Sequence, residues 1–543
     1  MSPASRAASL LVLDVVDRSG RIDLVPRGSV AATPGGVAGV AAAPGAEGLV
    51  LWDEAFELPD PALIARLLAG PCHVWHAGLS LGQGGRPDVW NTICHGRAML
   101  SRDVDPGIES TSWKVSARAL VLRNEVVERI GGLSGRFDTL SAAALEAGLR
   151  WTDHGALVRH VPALLRDATP PDPEPPPTVA DGVRIVRARL GTRWGLWAVL
   201  RGLQRGTVPV AAIPAAWRTF REPVPARGEV SGLSVPDRAV EPDATVTVLV
   251  PTVGRYPYLE PLLGQLSEQT RPPDEVVVVD QNPPGDRRDV AAMAPGLPVR
   301  VLLLSPPGQC SARNLGLQTS TGSHILFLDD DDEIPSDLIE RHLEVLACRE
   351  VAVSCGAVDD AETGPPPPSL RHRQAGTTFP TNNAMVRRSV LEQTGLFDPT
   401  YDRGARADHD LGMRSHLLGN LHVYDPGPQV FHHHAPMGGL RTHGARVRTR
   451  GNSRSTVKER HLRTPTDIYL GLRYHTEDQV REDLALSAFA TLSGGGTRAR
   501  RLARALVQTL LLPSTLAHNR SVLRQGRQML RSRPELPTLP HRS

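Results

Sequence analysis

Between Thr245 and Leu328 four short apolar runs, TVTVLV, EVVVV, VRVLLL and HILFL, recur with helix-period segments among them. No other feature restricts the fold of this chain so tightly. Runs that are apolar at every position belong to strands buried on both faces, and strands separated by helices belong to a parallel sheet. The spacing predicts strands over 245–250, 275–279, 299–304 and 324–328, with a helix over Tyr258–Gln269. Polar residues follow the runs closely. Open α/β sheets bind ligands at the carboxyl ends of their strands, so Thr252, Asp280 and Asp329 are expected to be neighbours in space.

Two acidic motifs carry chemistry. Asp329 to Asp332 are four consecutive carboxylates directly after a buried strand. Such a cluster repels itself unless a cation neutralises it, and oxygen ligands suit Mg²⁺ or Mn²⁺, which could in turn hold a diphosphate. The bland reading is a solvated acidic loop. Further on, Ala407–Arg414 (ADHDLGMR) places Asp408 and Asp410 where a helix begins, followed by His432–His434. A carboxylate aimed at a metal–diphosphate site could act as a general base, or the pair could serve as helix cap and dipole partner.

Taken in order, VLVPTVGR, VVVVDQNP, PGQCSARNLGLQTSTG, FLDDDD, TNNAMVRRSVLEQTGLFD and RADHDLGMR make Ala244–Pro436 resemble a GT-A-fold glycosyltransferase of family 2. The resemblance implies an α/β, Rossmann-like nucleotide-diphospho-sugar transferase fold. It implies that Thr252 and Asp280 contact the nucleotide and that Arg313 sits near the base or diphosphate. Asp329 and Asp331 would be the metal-motif acids, Asp331 the direct ligand and His432 a further one. Asp408 would be the base, with Arg255, Asp330, Asp410 and Arg414 as secondary candidates. The expected reaction is inverting transfer from a nucleoside-diphosphate sugar to a hydroxyl of a glycan or lipid-linked acceptor, in bacterial surface-polysaccharide or cell-wall synthesis. Two departures stand out. Gln281-Asn282 replaces a common acid and Gly-Ser pair, and Ala407 replaces the usual Glu.

The N-terminal region repeats this grammar. GLVLWDEAFELPDPALIARLL lies over SHILFLDDDDEIPSDLIERHL, so Asp53 meets Asp329 while Ala55 and Phe56 stand at Asp331 and Asp332. LSAAALEAG over RADHDLGMR sets Ala142 and Ala144 at Asp408 and Asp410. The expected organisation is a degenerate, non-catalytic GT-A-like domain over 1–165, a Pro-rich linker with a helical segment over 166–243, a catalytic domain over 244–437 and an Arg-rich helical region over 438–543. The 50 Gly and 48 Pro of the 543 residues fit such linkers.

With 61 basic and 58 acidic residues the net charge is +3, too balanced for a dedicated nucleic-acid binder. Lys114 and Lys458 are the only lysines. Five unpaired-looking cysteines, no signal-peptide pattern and no apolar run of membrane-spanning length lead us to expect a cytoplasmic protein. Residues 497–533 carry nine arginines, no acid and an apolar stripe at helical spacing. That helix could lie on an anionic membrane surface, or pack its stripe inward with the arginines outward. The basic segment Gly438–Arg463 could close over a diphosphate or an anionic acceptor. Two rival classes remain open at this level: a sugar-1-phosphate nucleotidyltransferase, which should carry a Gly-rich basic signature after its first strand, and a non-catalytic carbohydrate-binding scaffold.

Overall fold

The computed structural model describes residues 9–18, 21–77, 99–100, 102–165, 175–224, 232–235, 240–241, 243–360, 367–442, 457–460, 462–492 and 497–539. The N-terminal unit runs β1 (Ser9–Asp17), β2 (Ile22–Ala31), α1 (Pro34–Val37), β3 (Gly48–Asp53), α2 (Pro61–Ala69), β4 (Val74–Ala77), β5 (Ser110–Thr111), β6 (Ala119–Arg123), α3 (Asn124–Arg129), α4 (Leu140–Asp153) and β7 (Val158–His160). Its sheet has the order β2-β1-β3-β6-β4-β7-β5, and Trp52, Trp75 and Trp151 are buried in it. Helices α5 (Val179–Leu190), α6 (Thr192–Arg205) and α7 (Ile213–Thr219) follow. The expected single helical stretch is thus two helices, broken at Gly191, whose φ of 94° favours glycine.

The second unit contains β8 (Val246–Thr252), α8 (Tyr256–Ser267), β9 (Glu275–Asp280), β10 (Val299–Leu303), α9 (Gln309–Thr319), β11 (His324–Phe327), β12 (Asp332–Glu333), α10 (Leu338–Leu346), β13 (Val351–Asp360), β14 (Gln374–Ala375), β15 (Ala384–Arg387), α11 (Arg388–Thr394), α12 (Ala407–Leu417) and β16 (Leu421–His432). All four expected strands form within a residue or two of their expected ends. The strand order is β10-β9-β8-β11-β15-β13-β16-β12, with β14 also on β16. The sheet is not purely parallel: β15 runs antiparallel between β11 and β13. It is short, and its amides pair with both neighbours, so direction costs it no hydrogen bonds. β8, β9, β10 and β11 are parallel, as the apolar runs require.

The two sheets share a half. β3-β6-β4-β7-β5 repeats β11-β15-β13-β16-β14 in order and in every strand direction. Registers correspond as well: Leu49 faces Leu122 as Ile325 faces Val386, and Ser110 faces His160 as Gln374 faces Tyr424. The other halves differ. β1 pairs antiparallel with β3 and with β2, where β8, β9 and β10 are parallel.

One expectation is corrected here. Arg150 binds Glu146 (3.1 Å) and the carbonyls of Ile130, Gly131 and Gly132, as Arg414 binds Asp410 (3.0 Å) and the carbonyls of Thr394, Gly395 and Leu396. Ala144 therefore stands at Asp408 and Glu146 at Asp410, two residues from the alignment of Ala142 and Ala144. Counted from the Arg150–Arg414 pair, α4 begins about one turn earlier than α12, which puts an overlay of LSAAALEAG on RADHDLGMR out of step.

The C-terminal region holds α13 (Gly439–Thr442), α14 (Pro465–Tyr474), α15 (Glu477–Leu492), α16 (Arg498–Leu510) and α17 (Leu512–Arg531). A capping box between Thr464 and Asp467 starts α14. α16 is turned opposite to the packed-stripe expectation. Arg504 and Gln508 are buried, donating to the carbonyls of Thr491, Glu459 and Val457, while Leu502, Leu506 and Leu510 are 72%, 66% and 73% exposed. Among the described residues no helix is long and apolar enough to cross a membrane. The described cysteines, Cys72, Cys310, Cys348 and Cys355, are buried; Cys94 lies outside the described residues, as does most of the basic segment Gly438–Arg463.

Candidate active site

The site forms along the carboxyl ends of β8, β9 and β11. Thr252 and Asp280 are register partners at the ends of β8 and β9, and the Thr252 hydroxyl donates to Asp330 (2.7 Å) just past β11. Thr252 and Asp280 thus come together as expected, and the acid that meets Thr252 is Asp330, next in sequence to the expected Asp329. Asp280 is buried, its carboxylate accepting from the Tyr256 hydroxyl (2.6 Å) and from the backbone and side-chain amides of Asn282 (2.9 and 2.7 Å). Asn282 in turn accepts from the Gly254 amide (2.7 Å), and Gln281 from the Gly308 amide (2.8 Å). Gln281 and Asn282 therefore tie the turn after β8 and the start of α9 to the end of β9.

The acidic run is not a solvated loop. Asp330, Asp331 and Asp332 are buried. The two-residue ladder of β12 with β16 sets Asp332 opposite His432, and their side chains bond at 2.8 Å. The other two histidines meet acids too, His433 with Glu333 (3.0 Å) and His434 with Asp360 (3.3 Å). Ligand atoms of Asp329, Asp331 and His432 lie within 4.8 Å of one another. Arg313, from α9, holds Asp329 (2.8 Å). Arg255 bridges Asp330 (3.1 Å) and Asp331 (2.8 Å) and donates to the Met437 and Ala435 carbonyls. The second oxygen of Asp331 accepts from the Ala435 amide (2.8 Å). The chain after β16 thereby folds down over Arg255, and Gly438 (φ 65°) leaves no room for a side chain against the Gly254 carbonyl.

Electrostatics mark the cluster as short of positive charge. Burial pushes the carboxyls of Asp330 and Asp332 up to about 7 despite Arg255 and His432 beside them. Burial alone would lower His432, but its bond to Asp332 and the surrounding acids push it up to about 9. Crowding several carboxylates below the surface opposes their charge, and a divalent cation held among them would relieve that cost. The donor set fits such a cation.

Helix α12 carries Asp408 and Asp410 in its first turn, and they face different surroundings. Asp408 is part-exposed and meets His409 (3.0 Å). Asp410 is fully buried and bound by Arg414, Arg473 and the Tyr474 hydroxyl. The network continues through Arg473 to Asp398 (3.0 Å), which also accepts from Tyr469 (2.7 Å). Asp410 and Arg414, secondary site candidates by sequence, form the joint between α12 and α14. Gln309 donates to the carbonyls of Tyr401 and Gly404, and Asp402 accepts from the Cys310 and Ser311 amides. These contacts bring the approach to α12 onto the first turn of α9, on the same edge of the sheet as the acidic cluster.

Residues 247–403 match the family model described as glycosyl transferase family 2. The chain carries a glycosyltransferase domain of this family. It is 29% identical over 167 residues to the uncharacterized glycosyltransferase YwdF of Bacillus subtilis (strain 168), covering 28% of this chain and 62% of that protein. It is also 29% identical over 167 residues to the succinoglycan biosynthesis protein ExoM of Rhizobium meliloti (strain 1021), covering 28% of this chain and 54% of that protein. Matches to these relatives thus span little more than half of their length. Among solved structures, residues 1–349 of TarS from S. aureus cover 53% of this chain and 91% of that one at 16% identity and a TM-score of 0.35.

Proposed function

We propose that the chain is a metal-dependent, inverting glycosyltransferase that moves a sugar from a nucleoside-diphosphate sugar to a hydroxyl of a glycan or lipid-linked acceptor, in bacterial surface-polysaccharide or cell-wall synthesis. The observation that carries this reading is the Asp329–Asp331–His432 cluster beside Thr252 and Asp280 within a family 2 domain. ExoM of Rhizobium meliloti, one of the similar proteins, is a succinoglycan biosynthesis protein, which supports a glycan-building role.

Asp329, Asp331 and His432 would hold Mn²⁺ or Mg²⁺, which when bound supplies Lewis-acid neutralisation of the departing diphosphate. Arg313 orients Asp329, and Arg255 orients Asp331. Asp280 fixes Tyr256 and Asn282, which frame the nucleotide. Asp408 takes the proton of the attacking acceptor hydroxyl, and a single displacement needs no nucleophilic side chain.

We place the enzyme on the cytoplasmic face of an anionic membrane, held there peripherally through 497–533. The outward Leu502, Leu506 and Leu510 of α16, exposed together with Arg498, Arg500 and Arg501, support this, because apolar and basic side chains on one exposed surface suit an anionic lipid boundary.

A thermal-shift panel of UDP, GDP, dTDP and CDP, each with and without Mn²⁺, tests the donor site. A ligand at 100 times its dissociation constant adds about 2.7 kcal/mol of stability. We expect one nucleotide to shift the transition with Mn²⁺ and Asp331→Ala to abolish the shift. No shift with any nucleotide would replace this reading with the carbohydrate-binding scaffold.

A further inference from the structure

The likeness of the two units extends to how they touch. Gly155 follows α4 and Gly419 follows α12, both at positive φ (91° and 85°). A side chain on Gly419 would collide with Ile108 and the Glu109 carbonyl, and one on Gly155 would collide with His372 and the Arg373 carbonyl. In the common register Ser110 and Thr111 stand where Gln374 and Ala375 stand, so Ile108 and Glu109 stand where His372 and Arg373 do. The contact is made twice, with the partners exchanged. α12 likewise packs on β5, and α4 on β14. Such exchange is the mark of an isologous, two-fold interface between like subunits; a head-to-tail repeat would pair two different patches.

The N-terminal unit keeps only one half of the sheet. Antiparallel β1 and β2 replace β8, β9 and β10, so among the described residues this unit has no row of parallel carboxyl ends of the kind that binds ligands in open α/β sheets. Asp53 is retained but is spent on Arg118 (2.6 Å), and Ala144 stands at the base position.

What this unit does touch is α12. Three successive turns of that helix face it: Gly412 fits beside Met99, His416 Nε2 donates to the Arg102 carbonyl (3.1 Å), and the Gly419 carbonyl accepts from Arg159 (3.1 Å). Buried Arg159 is braced by Thr111 (3.2 Å) and Glu109 (3.2 Å). Its counterpart in the second unit is Val423, by the pairings Thr111–Arg159 and Ala375–Val423. The hook therefore exists on one side of the two-fold only, the side that grips α12.

We propose that residues 9–165 are a donor-less second copy of the acceptor half, docked on the catalytic unit as one protomer docks on another in a two-fold dimer, and that Arg159 of this built-in partner positions the helix carrying Asp408. The positioning role rests on the transferase reading above; the docking does not.

Hydrogen exchange and kinetics on the full chain test both parts. Arg159→Met should speed amide exchange over 412–420 and lower kcat about ten- to a hundredfold, since small misplacements of a catalytic group cost that much. The donor KM and the nucleotide-plus-Mn²⁺ thermal shift should stay as in the wild type. Glu109→Gln, at a half-exposed side chain, should give the same pattern more weakly. Gly155→Ala should speed exchange across the interface in 372–376, and Gly419→Ala in 108–112. A lower melting temperature in Arg159→Met with wild-type exchange in α12 and wild-type kcat would overturn the positioning role. Exchange changes confined to the substituted unit in both glycine variants would overturn the two-fold docking. Should no donor be turned over at all, the exchange results alone decide the docking, and the transferase reading fails separately.

Discussion

Replacing Leu502, Leu506 and Leu510 of α16 by glutamine should detach the protein from anionic vesicles without unfolding it. Burying a leucine side chain is worth about 1.5–3 kcal/mol relative to full exposure. The three are 72%, 66% and 73% exposed. Entry into the headgroup boundary therefore gains about 1–2 kcal/mol each, or about 3–6 kcal/mol together. At about 1.4 kcal/mol per decade, the triple variant should bind at least about a hundredfold more weakly. Exposed substitutions of this kind change stability by only about 0.5 kcal/mol each, so the melting temperature serves as an internal control. The arginines of 497–533 each add about 1 kcal/mol near an anionic surface, and salt weakens that share. The assay is flotation with phosphatidylglycerol vesicles at low and physiological salt, with phosphatidylcholine as the comparison. A wild-type chain that stays in solution, or a triple variant that floats equally well, refutes the reasoning.

Other outcomes follow from the site and the core. Asp408→Asn should abolish transfer while leaving the Mn²⁺-dependent nucleotide shift intact; full turnover in this variant would remove the base assignment. Arg473→Met leaves Asp398 and Asp410 as buried acids short of a partner, which should cost about 3–5 kcal/mol in chemical denaturation. Burial holds His73, His324, His342 and His416 down to about 4 and His422 to about 3, against an ordinary 6.5. Their folded values are depressed, so the unfolded chain binds more protons below 6.5, and stability present at neutral pH is lost as pH falls from 6.5 towards 4. Each contributes up to about 1.4 kcal/mol per pH unit in that window. Asp330 and Asp332, raised to about 7, act in the opposite sense over this range, so the check compares wild type with His422→Gln: the variant should lose less stability between pH 7.5 and 5.5, and an equal loss would contradict the reasoning.

The central strands were legible because a doubly covered strand must be apolar throughout, and the acids were legible because charge after such a strand is costly. Strand direction was not: AMVR at β15 has the composition of its parallel neighbours, and nothing in a four-residue run states which way it points. The His432–Asp332 pairing was equally hidden, since a two-residue ladder joins segments about a hundred positions apart. The separate fates of Asp408 and Asp410 could have been read, however. Residues two apart on a helix do not share a face, so one acid had to turn from the site if the other turned towards it. Likewise the period of 497–533 gave a stripe but not its side, which is outward in α16 and inward in α17, where Val522 is buried and Leu523, Met529 and Leu530 pack on the core. Arg504 and Gln508 face inward because backbone carbonyls of 457, 459 and 491 await them, and those partners are distant in sequence.

The short pairing of β12 with β16 also sets a schedule for synthesis. Asp329 and Asp331 leave the ribosome well before His432, and Ala435, whose amide holds Asp331, comes later still. A nascent chain that has completed the nucleotide-side strands therefore has its acids but not the imidazole or the segment that closes over Arg255. If these groups hold a cation as proposed, the full set of three ligands is assembled only after every element between Asp331 and His432 has been made.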